Sequence, residues 1–404
     1  MLFRSYGIVQ YMEGTGANNR LTQNPPFVPV DAVRNYTSPA GSMARGFEDT
    51  SAGAPPALGV GQLRYVDPNL RPQLTQQWNL FVERKLTGTL SASVGYVGNT
   101  ADHLATFRDM NQAVPGTGAP ETWVDAEQRR RLRDVLPGAG PVRFTGSDST
   151  GNYHGLQASL RKRRAKGLEF LASYTFSKAM TDNQGFYGAG WGSGSYTHFQ
   201  TGIGDGNQDS YNPQADYGPA AFDVKHNLVV SASYELPIGK DRSIGRDWSG
   251  FKQLVLGGWN VNSIVSARSG FPVTVSNGWG NRSLQPNFAY QRPDRIGDGS
   301  VSNPTWERWL DPAAFKEAEL GTFGDSGVGI LRGPGFWNVD LGVDKNIGLG
   351  GSRFLMLKVE AFNVFNHTNK GMPNRDWSNK AQFGTITDTA NAARVLEFAL
   401  KFQF

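Results

Sequence analysis

The feature that most limits what this sequence can fold into is the rhythm of its connections. Short links follow Leu86, Arg163, Leu236 and Lys345, and long ones follow Val97, Lys178, Arg268 and Phe365. Between them lie runs that alternate apolar and polar residues with a period of two. Successive side chains of a strand point to opposite faces, so each run reads as a two-faced strand. The plainest is the last, 394–404 (RVLEFALKFQF). Leu396, Phe398, Leu400, Phe402 and Phe404 share one face, and Val395, Glu397, Ala399, Lys401 and Gln403 share the other. Leu228, Val230, Ala232 and Tyr234 oppose Asn227, Ser231, Ser233 and Glu235 in the same way, and Trp337, Val339, Leu341 and Val343 oppose Asn338, Asp340 and Asp344. Thr75–Leu86 fits with one exception, Phe81 on the polar face, and Val255–Arg268 reads as one strand with Val255, Trp259, Val261 and Val265 together. Leu2–Tyr11 is the weakest of about ten runs.

Antiparallel strands that cross a bilayer account for both regularities. They need ~9–11 residues each at a tilt, against a mode of ~5–6 in soluble sheets, and they join by short turns on one side and long loops on the other. The expected fold is therefore all-β, an antiparallel transmembrane β-barrel with short periplasmic turns and long extracellular loops. Trp78, Tyr96, Tyr174, Phe176, Tyr234, Trp337, Phe402 and Phe404 fall near strand ends, where interfacial girdles form. Phe398, Leu400, Phe402 and Phe404 are the expected membrane-insertion signal. The mean hydropathy of −0.43 does not oppose this, because half of each barrel strand faces water.

The chain has no cysteine, which excludes disulfides and Cys-ligated zinc. Its net charge of +5 comes with arginine clusters but no basic stripe interleaved with aromatics, so no nucleic-acid partner is expected. Met1 leads directly into LFRSYGIVQYM, without the n-region and h-region of a signal peptide. For an exported chain this implies a misassigned start or the C-terminal part of a longer protein.

Catalytic and metal chemistry find little support. The five histidines are scattered, and no G-x-S-x-G elbow has an assignable partner set, so no enzyme and no cofactor is expected. Asp205, Asn207 and Asp209, with Asp216 at the twelfth position, resemble a calcium loop. Ser210 stands where glycine is wanted, however, and the last ligand is Asp in place of Glu. A polar external loop is the better reading. A helix is expected over 121–136, with its arginines on a solvated face, and a short helical piece within TWERWLDPAAF.

Several segments resemble the C-terminal barrel of TonB-dependent outer-membrane transporters of the Oar-like type. They are QLTQQWNLFVER, YHGLQASLRKRRAKGLEFLASYTFSKAM, FDVKHNLVVSASYELPIGK, GGWNVNSIVSARSGFPVTV, WLDPAAFKE, GTFGDSGVGILRGPGFWNVDLGVDKNI and VEAFNVFNHTN. Such a barrel has 22 strands, a plug domain and a box that engages TonB. Neither plug nor box can be placed here. The resemblance thus implies a partial barrel over 1–404, with a weak first strand and long loop in 1–72 and the confident strands and loops in 73–404. It also implies residence in the outer membrane of a Gram-negative-type bacterium. The implied partners are outer-membrane lipid, the barrel-assembly machinery that reads the terminal Phe404, TonB only through the absent N-terminal part, and an unknown small-molecule or peptide substrate. Substrate contacts are then expected from long-loop aromatics: Trp191, Tyr196, Tyr211, Trp279, Trp306 and Trp309. Two other readings stay open: a self-contained small outer-membrane barrel (porin, adhesin or surface protease), and a soluble secreted β-sandwich binding module, which leaves the rhythm of the loops unexplained.

Overall fold

Ten long strands pair in the order in which they occur, each antiparallel to the next. They are β1 (Leu2–Tyr11), β2 (Gln73–Lys85), β3 (Leu90–Asp109), β4 (Ala139–Ala165), β5 (Leu168–Thr181), β6 (His226–Glu235), β7 (Trp259–Arg268), β8 (Phe336–Gly350), β9 (Arg353–Phe362) and β10 (Val395–Gln403). The computed structural model describes residues 2–11, 61–116, 128–137, 139–183, 208–278, 282–283, 291–350 and 353–404. Among them β1 pairs only with β2 and β10 only with β9, so the sheet has two edges. Connections β2–β3, β4–β5, β6–β7 and β8–β9 leave one rim of the sheet, and the longer ones leave the other.

Register fixes the two faces. Phe336, Arg268, Asn227, Thr175, Gln157, Gly95 and Phe81 stand in one cross-strand row, and Asn338, Ser266, Val229, Ser173, Ser159, Ser93 and Glu83 in the next. Both rows lie on the polar face. The opposite face carries rows such as Leu341, Ala361 and Leu396, or Val343, Val359 and Phe398. A one-residue slip would exchange the faces, so the pattern pins the register. The polar face is concave and encloses a trough of about 1230 Å³ bordered by Glu83, Arg161, Glu169, Asp340, Lys358 and Glu360. The apolar face is bare: Phe398 is 75 % exposed and Leu400 67 %.

Phe81, the exception on the polar face, lies flat over Gly95 of β3, which has no side chain to obstruct it. Gly98 receives Trp78 on the other face in the same way. Such aromatic cover shields a glycine that would otherwise weaken a strand.

Val255 does not belong to a strand. Gly250–Leu256 forms a short helix, α1, within the β6–β7 connection, and β7 begins at Trp259. Gly258 stands between them at φ +75°, and its backbone faces the Asn346 carbonyl, so the chain turns where only glycine is comfortable. The QLVLGGW stretch is a short apolar run that periodicity alone cannot assign to helix or strand. The helix expected over 121–136 is not continuous either. Within its described part, residues 131–135 form successive turns, with Leu136 N–H donating to Leu132 O at 2.7 Å. The helical piece in TWERWLDPAAF is a single 3₁₀ turn, Pro312–Ala314, capped by the Asp311 carboxylate, which accepts from Ala313 N–H.

Candidate functional site

The site is a polar trough with a folded cap above it. The trough wall is a ladder of hydrogen-bonded charge. Arg164 donates to Glu169 at 2.7 Å and also to Glu235, which accepts from Arg242 at 3.0 Å as well. Lys358 and Glu360 pair along β9 at 2.8 Å. Asn260 and Asn262 both donate to Asp344, at 3.1 and 2.6 Å, and the Asp340 carboxylate accepts from Asn338 at 2.8 Å. Solvated ion pairs of this kind contribute only ~0–1 kcal/mol each. Their value is to keep one face of the sheet compatible with water.

The cap is built from the long loops and has its own core. Val273, Val275, Leu310, Ala314, Phe315, Leu331, Trp377 and Phe383 are all buried and form one cluster. These residues come from the β7–β8 and β9–β10 loops, which are stitched by Trp377 N–H to Ser276 O at 2.7 Å and Trp309 N–H to Gly384 O at 2.8 Å. The β5–β6 loop joins them through Gln208, whose side-chain oxygen accepts from Arg292 N–H at 2.6 Å and whose amide donates to Gly324 O at 2.9 Å. Gln112 ties in the β3–β4 loop by donating to Gln208 O at 3.0 Å and accepting from Ser210 N–H at 2.7 Å. Two buried carboxylates lock these joints. Asp216 pairs with Arg292, both nearly fully buried, and Asp223 accepts from Arg332 at 2.5 Å and from Ala179 N–H at 2.7 Å. Gly270 stands so close to the Gly333 carbonyl that a Cβ there would meet it at 1.8 Å, which fixes how the β7–β8 loop folds back.

Of the expected contact residues, Trp306 and Trp309 come together. Lys370 lies over both rings, 5.6 and 5.2 Å from their centres, while Trp309 also packs on the cap core and donates its indole N–H to Arg332 O at 2.9 Å. Tyr211 sits apart, stacked under Arg131 at 3.8 Å with its hydroxyl donating to Met110 O. Burial pushes its phenol above the usual tyrosine range. Trp191, Tyr196 and Trp279 lie outside the described residues, as do Asp205 and Asn207 of the calcium-like loop. Asp209 accepts from Tyr211 N–H in a local turn, and both Asp216 oxygens are taken, one by Arg292 and the other by Gln208 N–H at 3.0 Å. Among the described residues no group of three His, Asp or Glu side chains converges on a metal position.

Two features escape a reading of the sequence. Lys370 joins the tryptophan pair only through the fold, from a different loop. Arg268, on the concave face at the long-loop end of β7, is held between Phe271 and Phe336, 4.3 and 5.0 Å from its guanidinium carbon, with no carboxylate partner among the described residues. The run ARSGF gives the Arg268–Phe271 spacing, but Phe336 reaches it only by strand pairing.

On the apolar face, aromatic residues meet histidines near the long-loop rim. Tyr96 bonds His154 Nδ1 at 2.6 Å across β3 and β4, and Tyr174 bonds His226 Nδ1 at 2.8 Å across β5 and β6. Trp337 stacks on His367 with ring centres 4.1 Å apart. Amphipathic rings near one rim of an otherwise apolar surface are the residue type expected at a lipid–water boundary.

The profile of the outer membrane beta barrel domain family matches residues 3–397. No curated protein matches the chain. Among solved structures, the chain is similar to the outer membrane transporter YddB from Escherichia coli, at 11% identity and a TM-score of 0.42, covering 85% of this chain and 34% of that one. It is similar to the ferric-catecholate import receptor Fiu from E. coli K12 in its closed form, at 10% identity and a TM-score of 0.39, covering 100% and 33%. It is also similar to the FrpB iron transporter from Neisseria meningitidis, at 12% identity and a TM-score of 0.39, covering 84% and 32%. The chain thus spans about a third of the length of these structures.

Proposed function

This chain belongs to the outer membrane beta barrel domain family, and from that premise we propose that it is the C-terminal wall of a TonB-dependent receptor of the Oar-like type. In this reading its ten strands are part of a 22-stranded barrel, 73–404 carry the secure strands, and the plug and the TonB-engaging box belong to a part not present here. The cap admits a small-molecule or peptide substrate to the polar trough. Contacts come from Tyr211, the Trp306–Trp309 pair with Lys370, and Trp191, Tyr196 and Trp279. The terminal Phe404 is read by the barrel-assembly machinery.

The observation that carries this reading is the pair of sheet edges, β1 and β10, each bonded on one side only among the described residues. An unpaired edge in lipid leaves a row of backbone groups unsatisfied, at several kcal/mol each, so both edges need partners, and in this reading further strands supply them. Cysteine cross-linking tests it, because the chain has no cysteine of its own. Single cysteines are placed along Leu2–Tyr11 and along Val395–Gln403, in pairs, in cells producing the protein. The expected result is no disulfide between the two strands for any pair. Efficient disulfide formation at a consistent register would show that the chain closes on itself and is a small barrel.

A further inference from the structure

We infer that helix α1, Gly250–Leu256, is an interfacial anchor whose apolar side lies in the periplasm-facing leaflet of the outer membrane. It sits on the short-link rim, in the connection between β6 and β7, and short links are periplasmic in barrels of this family type. Its C-terminal end is fastened to the apolar, lipid-facing side of the sheet. Lys345 pairs in register with Trp259 on one side and Leu357 on the other, which places all three on that face. The buried Lys345 ammonium donates to Val255 O at 3.2 Å and to Gly257 O, meeting the carbonyls that a helix end leaves free. The Trp259 indole N–H donates to Val255 O at 3.0 Å, and the Lys345 ammonium lies 4.7 Å from the ring centre.

The sides of the helix are set by Gln253. Its side-chain oxygen accepts from Lys240 N–H at 2.6 Å, so this side faces the preceding turn. At 3.6 residues per turn, Phe251 and Val255 then point almost directly away from that turn, with Leu254 beside them. All three are uncovered, Phe251 to 77 %. A seven-residue helix is too short to persist on its own in water, and an exposed Phe–Leu–Val surface would be a liability there. Lipid resolves both difficulties. The apolar surface is continuous with the lipid-facing band through Trp259 and reaches the same rim as Leu349, Phe402 and Phe404, which are also uncovered. An amphipathic helix that buries one side at the headgroup–acyl boundary is the arrangement expected where such a surface meets a bilayer edge.

The placement of α1 follows from the outer-membrane β-barrel family alone, without the proposed substrate role. It is tested with single-cysteine variants of the full protein, reconstituted into vesicles of phosphatidylethanolamine and phosphatidylglycerol and spin-labelled. Phe251→Cys is compared with Asp241→Cys, which lies in the turn before the helix. The label at 251 should be relaxed several-fold more by oxygen than by a water-soluble nickel chelate, and the label at 241 should show the opposite preference. Leu254→Cys provides the same reading should Phe251→Cys not assemble. Equal aqueous access at 251 and 241 would overturn the inference. So would shielding of 251 from both reagents, which would mean that a protein surface covers the helix.

Discussion

The wall and the cap of this molecule bury opposite residues. In the wall, Phe398 and Leu400 are among the most exposed side chains, while serines, asparagines and carboxylates line the concave side. In the cap, Val275 and Leu310 are almost wholly buried, and Asp216 enters paired with Arg292. The same chain therefore obeys two solvents. The wall has lipid on one side and water on the other, so it needs no core and each strand can be thin. The cap has water around it and must enclose its apolar residues as any soluble domain does. The change of regime occurs within single strands. The first part of β4, toward Ala139, is mostly buried, and the part that ends at Ala165 is mostly open.

Substitutions in the two regions should separate them. Leu331→Asp places an unpaired charge in the cap core and should cost on the order of 4–5 kcal/mol. External protease should then digest the loops while the heat-modifiable band of the folded wall remains on a gel, and loss of that band as well would show that the two regions fold as one. Asp216→Ala leaves Arg292 buried without its carboxylate and should cost about 3–5 kcal/mol. Its effect should again be confined to loop protection, read by hydrogen exchange at 208–216 and 291–295. On the wall, Leu400→Arg puts a cation on the lipid side and should cost ~2–4 kcal/mol if the position is deep in the bilayer. Assembly into the membrane should fall, with Phe402→Asp and deletion of Phe404 impairing it in the same direction, and unchanged insertion of all three would remove the lipid-facing assignment. Ser231→Leu, on the concave side, should stay within ~0.5 kcal/mol, because the trough wall there is solvated.

A pH experiment gives the finest discrimination. Lys380, in the β9–β10 loop beside Trp377, is held down to about 8 by desolvation, against 10.5 ordinarily. Between about pH 8 and 10.5 the unfolded chain then binds more protons than the folded cap, so cap stability from this group should rise with pH across that window. The melting of loop protection should shift upward from pH 8 to 9.5 in the native protein and shift less in Lys380→Met, with wall melting indifferent to both.

The wall was largely legible in the sequence because its two solvents impose a period of two on every strand. Leu396, Phe398 and Leu400 announce their face without reference to any other segment. Phe81 breaks the alternation of its strand, and its explanation, Gly95, lies on the next strand. The cap was not legible. Its core gathers Val273, Leu310, Leu331 and Phe383 from distant positions, with no periodicity linking them. The acidic residues that looked like a calcium loop illustrate the same limit: Asp216 is turned to Arg292, 76 positions away. Val255 failed for a local reason, since a three-residue apolar run before two glycines fits helix and strand equally well. The tryptophan pair at 306 and 309 could be proposed from sequence, but Lys370 over it could not.

Strand β4 runs for 27 residues, of which a tilted crossing uses about 9–11. At ~3.3 Å per residue the remainder continues roughly 55 Å along the strand. It is braced there by the end of β3 and by residues 61–66, which run parallel to it, with Tyr65 stacked on Phe144 and Arg108 over the same ring. The described loops are thus carried on a stiff stalk and not on tethers. In the receptor reading proposed above, a molecule diffusing to the cell meets relief that was set when the chain folded, and its arrival does not have to organise that relief. For the described part of the mouth, capture should then be limited by encounter and orientation, with little penalty for ordering the receiver.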